Sequence, residues 1–179
     1  MDNQPEKITN CFLPQLVDQI FDNLQRKVAI TTPTKETRSQ FFYDLSVLLG
    51  EELVRRTLQL LDVYRFTYYY AKHRQNQCVV ELYKGTEYFR LLPKINYCKC
   101  DFFQSYVLQL PTGLLYPDIP TSQEFELAGW NEVSRQSYTC QHVLGLRLQQ
   151  LLKLSDQKVN EKILYPAEFR EIYLSIFED

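Results

Sequence analysis

Cys98-Lys99-Cys100 and Cys140-Gln141-His142 are the two short stretches that decide this fold. Each stretch places two metal-ligating side chains one residue apart, so each can chelate an ion from one short piece of backbone. Three thiolates and one imidazole are donors that tetrahedral zinc prefers. The pattern predicts one structural zinc ion per chain, with Cys98, Cys100, Cys140 and His142 as its ligands.

The same residues have a simpler interpretation, because free cysteine is a common core residue that behaves as a small hydrophobe. With only five Cys and two His among 179 residues, however, a C-x-C and a C-x-H rarely occur together by chance. An odd number of cysteines also does not suit a fully paired disulfide framework. These observations favour metal binding in a reducing compartment.

The sequence ahead of the first pair changes from a helical to a strand pattern at Tyr64. Before it, apolar residues recur at intervals of three and four in three segments, and Gly50 stands where a helix C-terminus favours glycine. After it, alternating and β-branched or aromatic residues up to Leu92 predict two or three antiparallel strands. We therefore expect an N-terminal helical region over residues 1–63, followed by a short hairpin sheet.

Prolines and glycines interrupt the segment between the two ligand pairs, which predicts an insertion at about residues 110–134. Its apolar side chains are too numerous for water and too interrupted for a separate core, so it packs on the zinc finger or docks a partner. Tyr116, Phe125 and Trp130 are its candidate partner-binding residues, since aromatic anchors dominate interface energies. A position of Trp130 over the zinc site is an equally good interpretation.

The remaining segments complete an α+β fold. A strong helical pattern follows the second ligand pair, and Pro166 opens a further helix. We assign residues 64–154 to a zinc-finger region and residues 155–179 to a C-terminal helix. The predicted order is N-terminal helices, a short antiparallel β-hairpin sheet, and a zinc finger leading into C-terminal helices.

Composition limits the classes of partner. Apolar residues form 45% of the chain and the net charge is -2, so the chain can bury a core but is poorly suited to grip nucleic acid alone. The hairpin from Arg65 to Lys99 is locally basic and rich in aromatic rings; a nucleic-acid contact and an ordinary solvated face both explain this, and the second is commoner. We expect any DNA contact to be weak or shared with partners.

No long apolar stretch or signal-peptide pattern is present, which predicts a soluble intracellular protein without a membrane partner.

Catalysis is not predicted. Four protein ligands fill a tetrahedron, whereas catalytic zinc keeps one position open for water or substrate. The sequence has no glycine-rich phosphate loop and no nucleophile elbow. We expect His73 in an exposed polar turn and both Cys11 and Cys78 in apolar cores, so none of them supplies an active site.

The two ligand pairs, placed after an aromatic and aliphatic hairpin, resemble a SWIM-type zinc finger, with Cys98, Cys100, Cys140 and His142 matching its ligands. The likeness extends over about residues 38–155 to the SWIM-domain subunits of Shu complexes, which are recombination-repair mediators. It includes the helix end Leu48-Leu49-Gly50. Two departures are the long gap between the pairs and Gly145, which stands where those subunits place a small alanine.

This resemblance implies a nuclear, non-enzymatic subunit that promotes homologous recombination and DNA repair. Such a subunit pairs with a RecA-like recombinase paralogue in a hetero-oligomer and acts indirectly on the recombinase filament, assisting its assembly. The alternative is a nucleic-acid-binding SWIM module of the transposase or transcription-factor type, which the acidic balance of the chain disfavours.

Overall fold

A computed structural model describes most of the chain, in four ranges: residues 13–30, 34–108, 137–152 and 158–178. The chain divides into two compact units, residues 1–51 and 52–179. Within the described ranges, no helix is both long enough and apolar enough to cross a membrane.

The first unit is a helical pair. Its helices are α1 (Leu13–Ile30) and α2 (Lys35–Leu49). The side chain of Thr34 caps the start of α2 by accepting a hydrogen bond from the Thr37 amide. The rings of Phe21 and Phe41 meet edge to face, with centroids 5.4 Å apart, and both are buried. Gly50 ends α2 with a φ of 86°, a value that favours glycine.

The second unit is an α+β structure, which confirms the predicted fold class. Its elements are α3 (Glu51–Val63), β1 (Arg65–Ala71), β2 (Arg74–Lys84), β3 (Glu87–Leu91), α4 (Asp101–Tyr106), α5 (Gln141–Leu152), β4 (Val159–Leu164) and α6 (Pro166–Leu174). The sheet order is β3-β2-β1-β4. The first three strands are antiparallel neighbours, as the hairpin pattern predicts, and β4 runs parallel to β1.

Strand β4 corrects the prediction that residues 155–179 form only a C-terminal helix. Its middle residues, Asn160, Glu161 and Lys162, are polar and exposed, so they show no alternation from which a strand could be predicted. The strand forms because its backbone pairs with that of β1, beginning with Phe66 opposite Val159. The predicted helix that Pro166 opens is present as α6.

The two faces of the sheet carry different helices. On the face that we call the α5 face, Phe66, Leu82 and Leu91 are at most 1% exposed. Tyr68 on this face donates a hydrogen bond to the buried Gln149 of α5. On the opposite face, called the α6 face, an apolar cluster joins two strands to α6. Its buried members are Ala71, Val79, Phe169 and Ile176.

Helix α3 packs closely on α5, although the sequence analysis assigns it to the N-terminal helical region of residues 1–63. A Cβ atom at Gly145 would lie 2.9 Å from Cδ2 of Leu60 and 3.7 Å from Cγ2 of Thr57. The absence of a side chain at Gly145 therefore allows the helices to approach. At the C-terminal end of α3, directly after Leu60, the Lys158 ammonium donates to the carbonyl oxygens of Leu61 and Asp62, where a cation suits the helix dipole.

Candidate metal centre

Two short segments deliver the four predicted ligands. Cys98 and Cys100 lie on the connection from β3 to α4, whereas Cys140 directly precedes α5 and His142 lies in its first turn. All four residues are buried, and their ligand atoms lie within 4.8 Å of one another. The structure thus brings together the four residues that the sequence pairs predict, in a group that can hold a metal ion.

The distances within the group suit a tetrahedral ion. Nδ1 of His142 lies 3.7 Å from Sγ of Cys98 and 3.9 Å from Sγ of Cys140. Zinc bonds of about 2.3 Å to sulfur and about 2.0 Å to nitrogen, at tetrahedral angles, give an edge of about 3.5 Å. The observed edges are longer by only a few tenths of an ångström, so the residues present fit such an ion with Nδ1 as the nitrogen donor.

Backbone amides support the sulfur of Cys100. This residue is the N-cap of α4, with extended backbone, and its Sγ accepts from the Phe103 amide at 3.4 Å. The Cys100 amide in turn donates to Sγ of Cys98 at 3.5 Å. Free amides at a helix start stabilise negative charge, so the sulfur of Cys100 is placed where a thiolate is favoured.

Without a cation, hydrogen bonds within the group favour a thiolate at Cys100 over thiolates at Cys98 and Cys140. Hydrogen bonds donated by Cys140 and then Cys98 lower the pKa of Cys100. Donating to Cys100 raises the pKa of Cys140 to about 12, and donating to Cys100 and Cys140 likewise raises the pKa of Cys98. A dication offsets the negative charges and lets all three sulfurs act as thiolate ligands, so metal binding releases protons from this group.

Asn96 ties the two ligand pairs together. Its Nδ2 donates to the Tyr138 carbonyl oxygen at 2.8 Å, and its Oδ1 accepts from Oγ1 of Thr139 at 2.8 Å. Asn96 lies two residues before Cys98, and Thr139 directly precedes Cys140. This contact was not predicted from the sequence. An asparagine close to one ligand pair and a threonine beside the other are the signals that could have indicated it.

Two aromatic rings pack against the His142 ring. Phe89 of β3 stacks on it with centroids 3.8 Å apart, and Tyr64 contacts it edge to face at 6.1 Å. Among the described residues, none is a hydrogen-bond partner for the buried Nε2 of His142. Metal-ligating histidines usually donate from their second nitrogen. Here stacking by Phe89 supports the orientation of the ring; from the sequence, Phe89 is predicted only as a strand residue.

The other predicted site residues have different outcomes. His73 is exposed in the turn after β1, as expected, with a φ of 72°. Cys78 is half-buried, and burial raises the pKa of its thiol to about 11, which makes it a weak nucleophile. The insertion at about residues 110–134, with Tyr116, Phe125 and Trp130, lies outside the described residues, as does Cys11.

Comparisons with family models, with curated proteins and with solved structures found no match to this chain. The chemistry available at the centre is that of its donors. Cys98 and Cys140 are fully buried and His142 is 3% exposed, so these three ligands present almost no surface to solvent. Such a group can bind an ion that links two backbone segments.

Proposed function

We propose that the centre binds one zinc ion per chain and that the ion is structural. The observation that carries this proposal is the buried group of three cysteines and one histidine, whose ligand atoms lie within 4.8 Å of one another. Soft thiolate and imidazole donors favour zinc over hard cations such as calcium and magnesium. Four protein ligands leave no position for water, which supports a role in stabilising the fold rather than in catalysis.

The test compares two cysteine variants. Cys140→Ser removes a ligand, and Cys78→Ser, the matched control, removes a thiol outside the group. We expect one zinc per chain, measured by elemental analysis, in the wild type and in Cys78→Ser, and loss of zinc in Cys140→Ser. Because metal in such sites contributes on the order of 10 kcal/mol to folding, chelation should also unfold the wild type. A chain that stays fully folded after complete chelation would contradict the structural role.

We further propose that the protein is a non-enzymatic, SWIM-type zinc-finger subunit of a Shu-type complex, acting in the nucleus in homologous recombination and DNA repair. The support is the order of the ligands, C-x-C before C-x-H, and the hairpin of β2 and β3 that leads into the first pair. The partner in this proposal is a RecA-like recombinase paralogue, with which the chain assists assembly of the recombinase filament.

The partner proposal is tested by purifying the tagged full-length chain from its native source. We expect a RecA-like ATPase in stoichiometric amount, retained by Cys78→Ser and lost by Cys140→Ser.

If Trp130 is an interface anchor, Trp130→Ala lowers partner affinity by about 2 kcal/mol, roughly thirtyfold, with zinc content unchanged. Unchanged affinity with lower thermal stability would place Trp130 in the fold instead. The SWIM nucleic-acid module remains the alternative; affinity of the isolated chain for DNA tighter than about 1 μM at physiological salt would favour it.

A further inference from the structure

An open cleft of about 730 Å³ lies in the second unit and shares no lining residue with the metal centre. The turn between β1 and β2, the loop after β3 and helix α6 form its walls. Cavities of several hundred Å³ are the usual size for small-molecule sites. The cleft is therefore large enough for a ligand such as a nucleotide.

The charged side chains that line the cleft are all cationic. Lys72 comes from the β1–β2 turn, Arg74 is the first residue of β2 and Arg170 comes from α6, while none of the described lining residues is acidic. Within the described residues, none of the three cations makes an ion pair, although the Lys72 ammonium lies 4.3 Å from the centre of the Tyr165 ring. In a chain of net charge -2, this is a local concentration of positive charge that forms no ion pair with another described residue.

The same cleft offers apolar surface beside the cations. Tyr173 of α6 is 39% exposed, and Ile95 of the loop after β3 is 51% exposed. The Tyr173 ring is held in place by Phe169 and Phe177, whose ring centroids lie 6.4 Å and 5.8 Å away. A fixed, partly exposed aromatic ring is a platform on which a planar group can stack.

We propose that this cleft binds a nucleotide unit, with its phosphate contacting Lys72, Arg74 and Arg170 and its base stacking on Tyr173. Cations alone would suit any anion, but a fixed ring beside them selects a ligand that joins a phosphate to a planar base. The side chain of Asn76, which also lines the cleft, offers both a donor and an acceptor for a base edge. A free nucleotide and a nucleotide within a single strand share this chemistry.

The site contacts few phosphates, so the binding of an isolated chain is weak at physiological salt. This agrees with the expected weak or shared DNA contact and is independent of the proposed recombination role. The nucleotide site does not depend on the metal-centre proposal, because the cleft and the metal centre share no residue. Zinc content is measured separately in every variant, so failure of one proposal can be distinguished from failure of the other.

The experiment uses the full, metal-loaded chain and follows the fluorescence anisotropy of a labelled oligothymidylate between about 50 and 200 mM salt. The double variant Arg74→Gln/Arg170→Gln removes two cleft cations, and the matched control Arg56→Gln/Arg65→Gln removes two exposed cations outside the cleft. We expect the cleft variant to lose affinity at least tenfold and its log-log salt slope to fall by about 0.7, since one phosphate contact to a single strand contributes about 0.7. The control should change affinity less than twofold.

Tyr173→Leu tests the stacking platform. We expect at least fivefold weaker binding with an unchanged salt slope, because the ring contributes stacking and no charge. Competition with a free mononucleotide distinguishes the two sources of the ligand. If the mononucleotide competes as well, per nucleotide, as an unlabelled strand does, the ligand is a free nucleotide. If only strands compete, the ligand is a nucleotide within a single strand. Both results support the site.

Three results would overturn the proposal. They are no binding of oligothymidylate or mononucleotide by the wild type at the lowest salt, equal losses in the cleft and control variants, and competition by inorganic phosphate as effective as that by the nucleotide. Zinc content and thermal unfolding of each variant show whether a loss of binding reflects a loss of fold.

Discussion

The two faces of the sheet differ in how they are covered. The α5 face is apolar across three strands, from Phe66 through Leu82 to Leu91, and these side chains are at most 1% exposed. Phe89, on the same face, connects the sheet to the metal centre by stacking on His142. Core packing and the candidate metal ligands therefore share one side of the sheet.

The α6 face is apolar only at one end, where Ala71 and Val79 meet α6. Further along, Tyr69 donates a hydrogen bond to Glu81 at 3.1 Å, and Arg90 pairs with Glu81 at 2.9 Å. This network borders an open cavity of about 320 Å³. We infer that most of the stability comes from packing on the α5 face, whereas the α6 face leaves surface open to solvent.

The largest expected effect tests this contrast directly. Phe66→Ala removes a side chain that is 1% exposed on the α5 face, and we expect the free energy of unfolding to fall by about 3–5 kcal/mol. Tyr88→Ala, on the α6 face, removes a side chain that is 58% exposed and should cost less than about 1 kcal/mol. Denaturant unfolding of both variants measures the difference. Similar losses in the two variants would show that the faces contribute equally.

A smaller effect tests how the two ligand pairs of the metal centre are held together. Asn96→Ala removes the bonds that join the segment before Cys98 to the segment before Cys140. We expect about 1 kcal/mol less stability and roughly tenfold weaker zinc binding, because outer residues that position ligands affect affinity by 10–100-fold. Competitive titration with a chelator provides the measurement, with Asn160→Ala, on an exposed strand, as the control. Wild-type zinc affinity in Asn96→Ala would mean that the ligand pairs are held together without this clamp.

The smallest effect concerns the polar network of the α6 face. Burial and then the Glu81 charge raise the pKa of Tyr69, so the fold favours its neutral phenol. A group with a raised folded pKa contributes stability below its unfolded value of about 10, and this contribution is lost as pH rises through the folded value.

Tyr69→Phe should therefore cost about 1 kcal/mol near pH 8, with a gap from the wild type that narrows above about pH 10. Thermal unfolding across this pH range measures the gap, and Tyr88→Phe is the control on the same face. A gap that stays constant with pH would show that Tyr69 does not titrate differently in the fold.

The sequence predicts which four residues come together in the candidate metal centre, because the close spacing within each pair is a local property. Cys98 with Cys100, and Cys140 with His142, need only one intervening residue each, and both second ligands belong to helix starts. It predicts the antiparallel strands for a similar reason, since their alternation is visible in short windows.

Contacts between distant segments could not be predicted in this way. Strand β4 lacks an apolar period and depends on backbone pairing with β1. The Asn96 hydrogen bonds join two loops across the long gap between the ligand pairs. The basic cleft combines Arg170 and Tyr173 of α6 with cations of the β1–β2 hairpin. Each of these features depends on tertiary arrangement, which residue spacing alone does not reveal.

The parallel pairing of β1 with β4 also affects how the protein emerges from the ribosome. Phe66 is translated long before its partner Val159, and among the described residues β4 is the strand that covers that edge of β1. Until β4 is made, the central strand exposes unpaired N–H and C=O groups along one edge, which is a template for pairing with another chain. A nascent chain at this stage is prone to aggregation and a suitable client for a chaperone.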